Sequence, residues 1–176
     1  VNNSFANLEV ELNYNNSAFK VKSNLFGIFN AYNILAALSV LKDLNLGQNV
    51  IQAAISTFKG VPGRLEKFIL PNGAIAFIDY AHNPSSFQAV LSTLKTDKKL
   101  IVVFGSGGDR DVIKRPQLGY ISSLYADIII LTEDNPRSEN ASDIVDQIKS
   151  GIPEIDLSKV LIELDREVAI KLAYSL

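Results

Sequence analysis

Leu100-Ile101-Val102-Val103-Phe104-Gly105-Ser106-Gly107-Gly108-Asp109-Arg110 decides the fold class. Five apolar residues followed at once by glycines predict a short strand buried on both faces that ends in a polar loop. The same sign recurs downstream. Asp127–Thr132 is a second apolar run, ending in Glu133-Asp134-Asn135-Pro136-Arg137, and Val160–Leu164 is a third. Between these runs lie helical patterns. One starts at Pro116 and carries Leu118, Ile121 and Leu124; another spans Ala141–Ser150 and stops at Gly151. Asp165 caps a last helix. Strands alternating with helices of about ten residues predict βαβ units with right-handed crossovers and a largely parallel sheet.

Working upstream, Leu65–Leu70 and Ala74–Ile78 pair around Pro71-Asn72-Gly73, a turn signal. Asp79-Tyr80-Ala81-His82-Asn83-Pro84 follows. Asn83 is placed to cap a helix with Pro84 at its first position, and Phe87, Val90, Leu91 and Leu94 give that helix an apolar stripe. Val61-Pro62-Gly63-Arg64 reads as a linker, which divides the chain into 1–63 and 64–176. Before it, Phe5–Leu12 and Ala18–Lys22 alternate around the Asn13–Ser17 break as a hairpin. Ile34, Leu38, Leu41 and Leu44, then Ile51, Ala54, Ile55 and Phe58, mark two helices ended by Gly47 and Gly60.

Composition narrows the chemistry. Seventeen Lys and Arg against nineteen Asp and Glu give a net charge of −2, so there is no basic field to hold nucleic acid. No cysteine is present, which excludes disulfides, thiolate metal sites and a cysteine nucleophile; with His82 alone, a His-rich metal site is excluded too. Ser23–Leu41 is nineteen residues without a charge, but Asn24, Asn30, Asn33 and Gly27 interrupt it, so it reads as a buried core helix rather than a membrane span. The chain begins at Val1 and has no methionine, the mark of a piece of a longer protein.

In an open parallel sheet, ligands bind beyond the carboxyl ends of the strands. The polar segments Asp79–Asn83, Gly105–Arg115 and Glu133–Arg137 all belong there. Gly105–Gly108 offers either an anion-binding nest of backbone N–H groups or a plain tight turn; it is neither a P-loop nor a complete dinucleotide fingerprint. Arg110 can grip a carboxylate or phosphate in two places, whereas Lys114 and Arg115 read as solvated ion-pair partners. Asp134, Asn135 and Arg137 could read a zwitterion, Asp134 facing an ammonium and Arg137 a carboxylate, or form an Asx-Pro turn beside a surface arginine. His82 could touch a nucleotide, act as a base or serve as a structural donor. Arg64 could reach a ligand or make a salt bridge. A shared amino-acid site requires Arg110 and Arg137 to meet at one rim.

Gly27-Ile28-Phe29-Asn30-Ala31-Tyr32-Asn33, Pro62-Gly63-Arg64-Leu65-Glu66, Asp79–Pro84, Phe104–Arg115 and Asp134–Arg137 occur in an order that resembles the Mur ligase family, in its members that add the third amino acid to the peptidoglycan stem. The resemblance implies an ATP-dependent amide-bond ligase of peptidoglycan and cell-wall biogenesis, cytoplasmic and monomeric, linked to cell shape and cell division. It implies the end of an α/β ATPase domain in 1–63 and a Rossmann-like C-terminal domain in 64–176. ATP phosphorylates the carboxylate of UDP-N-acetylmuramoyl-L-alanyl-D-glutamate, and the incoming amine attacks the acyl phosphate. Asn33, with Asn30, would contact adenine; Arg64, Asp79 and His82 would contact ATP elsewhere. Arg110, Asp134, Asn135 and Arg137 would bind the incoming amino acid, and the arginine at 137 is typical of members using meso-diaminopimelate rather than L-lysine. The family's P-loop, carbamylated lysine and Mg2+ ligands fall upstream, and its Gly-Lys-Gly-His-Glu-type segment falls downstream. No catalytic or metal-binding residue is expected within the chain, and the fragment alone is expected to be inactive. Asn83 stands where threonine is commoner, and Ser106 where cysteine is. A sister ligase such as folylpolyglutamate synthetase and a non-enzymatic α/β ligand-binding module are the alternatives.

Overall fold

The structure is a computed structural model, and it describes residues 2–3, 7–14 and 17–176. The expected hairpin is present over β2 (Leu8–Tyr14) and β3 (Ser17–Ser23), with a two-residue β1 (Asn2–Asn3) added along β2. Phe5 and the centre of the expected turn, residues 15 and 16, lie outside the described residues. Alternation does the sorting: Leu8, Val10, Phe19 and Val21 are buried, while Glu9 and Glu11 face Lys22 and Lys20 across the solvent side at 3.2 and 3.8 Å. The buried face packs on Ala31, Ile34 and Leu38 of α1 (Phe29–Asp43) and Ile51 of α2 (Gln48–Thr57). The uncharged stretch thus becomes a helix buried on one side only, because Tyr32, Leu35 and Val40 stay exposed. Leu44 and Phe58, expected on the apolar stripes, fall just past the helix ends and are exposed. No helix among the described residues is long and apolar enough to cross a membrane.

β4 (Glu66–Ile69) and β5 (Ile75–Ile78) form an antiparallel pair in their own two-stranded sheet. Gly73 has φ +83°, the left-handed conformation that closes the turn between them. By compactness the chain divides into Val1–Tyr80 and Ala81–Leu176.

The second unit is the α/β alternation. It runs α3 (Pro84–Leu94), β6 (Ile101–Phe104), α4 (Lys114–Tyr125), β7 (Ile128–Leu131), α5 (Ala141–Lys149), β8 (Val160–Ile162) and α6 (Arg166–Ser175). A 3₁₀ turn at Glu154–Lys159, which no periodicity announces, precedes β8. The sheet is parallel in the order β6-β7-β8, and its register sets Phe104 beside Leu131 and Leu131 beside Ile162. The three strands therefore end level, and the loops beginning at Gly105, Thr132 and Glu163 leave from one edge. Central β7 is buried throughout from Ile129 to Leu131, as a strand covered on both faces must be. Phe87 of α3 meets Phe104 of β6 with ring centroids 4.8 Å apart. Leu118 and Ile121 of α4 join this core, but Leu124 is exposed.

Asn83 caps α3 by accepting from Ser86 N at 2.9 Å, with Pro84 in the first turn, and Asp165 caps α6 by accepting from Val168 N at 3.0 Å. α4 and α5 approach without room for a side chain between them. A Cβ on Gly119 would strike the Ile148 carbonyl, and one on Gly151 the Pro116 carbonyl.

Candidate functional site

In the first unit, Asn30 and Asn33 lie one turn apart on α1. Asn33 Nδ2 donates to Asn30 Oδ1 at 2.9 Å, and Asn30 Nδ2 donates to the Phe26 carbonyl at 2.6 Å. The Phe26 ring stacks on Phe77 of β5 at 5.8 Å, two residues before Asp79. Asp79 Oδ2 accepts from Leu65 N at 2.8 Å, which holds Leu65 at φ +47°. That bond sets the chain direction at Arg64, whose guanidinium lies over the Tyr80 ring, 4.7 Å from its centroid. The structure thus joins Asn30 to Asn33 directly, and brings Asp79 to Leu65, the residue after Arg64.

In the second unit, two of the three polar loops interlock at the carboxyl ends of β6 and β7. Gly108 N donates to the Asn135 carbonyl at 3.1 Å, and Arg137 Nη1 donates to the Gly108 carbonyl at 2.5 Å. The approach needs glycine. A Cβ on Gly105 would meet the Thr132 carbonyl, and one on Gly108 the Pro136 carbonyl. A Cβ on Gly107 would stand 3.0 Å from Arg137 Nη1 and 3.9 Å from Arg110 Cγ, so both arginines border this glycine. Arg110 is exposed and has no hydrogen bond or ion pair among the described residues. Asp109, Asn135 and Arg137 all adopt left-handed φ, +51°, +49° and +54°. Such conformations are costly for a residue as large as arginine and persist only where surroundings impose them.

Asp134 and Asn135 border an open pocket with Leu164, Asp165, Arg166 and Glu167. Arg166, which carried no signal in the sequence, donates Nε and Nη2 to the Glu133 carbonyl at 3.0 and 2.6 Å, and its Nη2 lies 3.6 Å from Asp134 Oδ1. His82 is tied to this unit through its backbone: Lys114 Nζ donates to its carbonyl at 3.0 Å.

Arg115 corrects the sequence reading. It is not solvated; its side chain is fully buried. Its Nη1 and Nη2 meet Glu139 Oε2 and Oε1 at 2.7 and 2.8 Å, Nη1 also reaches Gln147 Oε1 at 2.6 Å, and Nη2 reaches the Gly107 carbonyl at 3.1 Å. Glu139 Oε1 takes a further bond from Asp109 N at 2.5 Å. The hydrogen bond from Arg115, helped by that amide, pushes the Glu139 carboxyl down to about 2. The same bond raises the Arg115 guanidinium against the opposing effect of burial. One sequence signal pointed here: Arg115 precedes Leu118 by three and Ser122 by seven, which puts it on the inward face of α4. Among the described residues no three His, Asp or Glu side chains gather as a metal site.

Residues 63–176 match the Mur ligase family's glutamate ligase domain. UDP-N-acetylmuramoyl-L-alanyl-D-glutamate--2,6-diaminopimelate ligase of Syntrophomonas wolfei is 38% identical over 167 residues, 94% of this chain and 34% of that protein. A solved structure of a ligase with the same name covers 97% of this chain and 35% of its own, at 33% identity and a TM-score of 0.63. Mycobacterium tuberculosis folylpolyglutamate synthase, solved with ADP, covers 98% of the chain and 38% of its own at a TM-score of 0.78; at 23% identity this is a likeness of fold. The chain spans about a third of the length of the curated relatives it matches. A glycine-rich loop locked against an Asp-Asn-Pro-Arg loop at the end of a parallel sheet is thus the setting of a known domain, and the chain belongs to the Mur ligase family.

Proposed function

We propose that this chain is the amino-acid-presenting part of a UDP-N-acetylmuramoyl-tripeptide synthetase, the ATP-dependent ligase that adds meso-diaminopimelate to UDP-N-acetylmuramoyl-L-alanyl-D-glutamate in peptidoglycan synthesis. The observation that carries the reading is that the side chains of Arg110 and Arg137, from two different loops, both border Gly107, with the Asp134 backbone carbonyl beside it. Two guanidinium groups with a carboxylate and an amide form a receptor for a molecule with carboxylates and ammonium groups. Arg137 favours diaminopimelate over L-lysine, because lysine has no second carboxylate and would leave the guanidinium unneutralised.

In the proposed reaction the substrate carboxylate takes the γ-phosphoryl group of ATP, releasing ADP. The amine nitrogen of diaminopimelate then attacks the acyl carbon, the C–O bond to phosphate breaks, and the amine loses a proton as the amide forms. Arg110 and Arg137 hold substrate carboxylate, Asp134 faces the ammonium that is not the nucleophile, and Asn135 supplies a neutral polar contact. Asn30 and Asn33 touch adenine, and Arg64, Asp79 and His82 contact the rest of ATP. This chain's contribution to rate is proximity of the amine to the acyl phosphate. By the family resemblance the Mg2+ ligands fall upstream of this chain, and the parent is proposed to be a cytoplasmic monomer. Residues 1–63 are the end of the central ATPase domain and 64–176 the C-terminal domain, a division supported by the family match beginning at residue 63.

The test is Arg137→Ala in the full-length protein. Losing a bidentate charged pair raises KM for diaminopimelate by roughly 10- to 100-fold; unchanged kinetics would remove Arg137 from the site. The 176-residue chain alone is proposed to form no amide, and detectable synthesis by it would overturn that.

A further inference from the structure

The ion pair between buried Arg115 of α4 and partly exposed Glu139, in the loop before α5, leans on the site more than on the core. Arg115 Nη2 is bonded to the Gly107 carbonyl, and Glu139 Oε1 to the Asp109 amide, so both partners bind the backbone that leads into Arg110. Glu139 is also two residues past Arg137. A second lock runs the opposite way: Asp109 Oδ1 accepts from Ser138 Oγ at 2.6 Å, and its Oδ2 from Ser138 N at 3.3 Å. Each loop therefore gives a carboxylate to the other loop's backbone, and both Arg110 and Arg137 sit next to a residue so held. Arg115 Nε is buried without a hydrogen-bond partner among the described residues.

We infer that Arg115 and Glu139 are positioning residues for the amino-acid site, acting by fixing the spacing between the loops that carry Arg110 and Arg137. The inference rests on the proposed amino-acid site. Its chemistry is specific. Three N–H donors, Arg115 Nη1 and Nη2 and Asp109 N, converge on the two Glu139 oxygens. A carboxamide offers one oxygen and a donating NH2, so E139Q must turn a donor toward a donor and release one arm. A lysine at 115 has a single ammonium, which cannot span Glu139, Gln147 and the Gly107 carbonyl together.

The experiment is steady-state kinetics of E139Q and R115K in the full-length protein, varying diaminopimelate and ATP separately. Loss of positioning raises KM for diaminopimelate by roughly tenfold or more, with kcat and KM for ATP within about twofold of wild type. A merely structural role lowers kcat through a reduced active fraction and leaves KM alone; that result, or an unchanged KM for diaminopimelate, overturns the inference. If E139Q does not fold, E139D decides by the same two outcomes, since it keeps the charge and shortens the reach. Failure of the wild-type protein to use diaminopimelate while it uses another amine sinks the substrate reading alone, and the positioning inference is then judged on KM for that amine.

Discussion

Arg137 Nη1 donates to the Gly108 carbonyl at 2.5 Å, so the guanidinium proposed to grip substrate is already anchored at one end. The anchor fixes the plane of the group before any ligand arrives, which reduces the entropy lost on binding. A lysine at 137 could satisfy the carbonyl or a carboxylate, but not both with a planar fork. R137K therefore resembles R137A, raising KM for diaminopimelate by roughly tenfold or more. Steady-state kinetics of the two full-length variants check this, and wild-type behaviour of R137K would show that a point charge suffices.

The glycines of the loop are not equivalent. On Gly108 a methyl group would strike the Pro136 carbonyl, which cannot yield without separating the loops; on Gly107 it would meet only the tip of Arg137 at 3.0 Å. G108A is expected to raise KM for diaminopimelate by well over tenfold, as an ångström-scale misplacement does. G107A presses on the anchored Arg137 Nη1, but a side chain yields by a few tenths of an ångström more readily than a backbone carbonyl, so it is expected to raise KM less than G108A does. Equal effects in a side-by-side assay would show that the loops are not in rigid contact.

Glu139 is held well below the ordinary carboxylate range by Arg115 and the Asp109 amide, with the Asp109 carboxylate the nearby like charge. Its folded pKa of about 2 lies below the usual 4.5, so the stability it adds is complete above pH 4.5 and fades as pH falls toward 2. The difference in urea midpoint between wild type and E139Q should be constant near neutrality and shrink between about pH 5 and pH 2. A difference that does not change across that range would show that the ion pair is not made in solution.

Short-range chemistry is legible in the sequence itself. Asn83 and Pro84 mark the start of α3 because a cap needs only its own first turn, and β7 follows from an uninterrupted apolar run. Pro116 misled by two residues: α4 begins at Lys114, since the first turn tolerates a proline whose missing N–H has no intrahelical partner. Leu124, six residues after Leu118, is turned about 120° round α4 from it and falls outside the buried stripe. The burial of Arg115 is not legible locally. Its burial depends on Glu139, Gln147 and the Gly107 carbonyl, groups 24 and 32 residues after it and eight before, which only the sheet's register brings together. Arg110 and Arg137 could be proposed as partners from loop position, but their meeting at Gly107 depends on the same register.

Gly119 separates local preference from packing. In the middle of α4 an alanine is favoured over glycine by about 1 kcal/mol on helix propensity alone. Here the new methyl group would strike the Ile148 carbonyl and crowd Ile152 Cγ1 at 3.3 Å. To make room, α4 and α5 must move apart, and the reciprocal contact of Gly151 with the Pro116 carbonyl resists that movement. Overpacking of this kind costs about 1–3 kcal/mol, which exceeds the gain in propensity. G119A is therefore expected to lower the urea midpoint of the full chain, and G119A together with G151A to lower it further. A raised midpoint for G119A would mean that the two helices do not touch at these glycines.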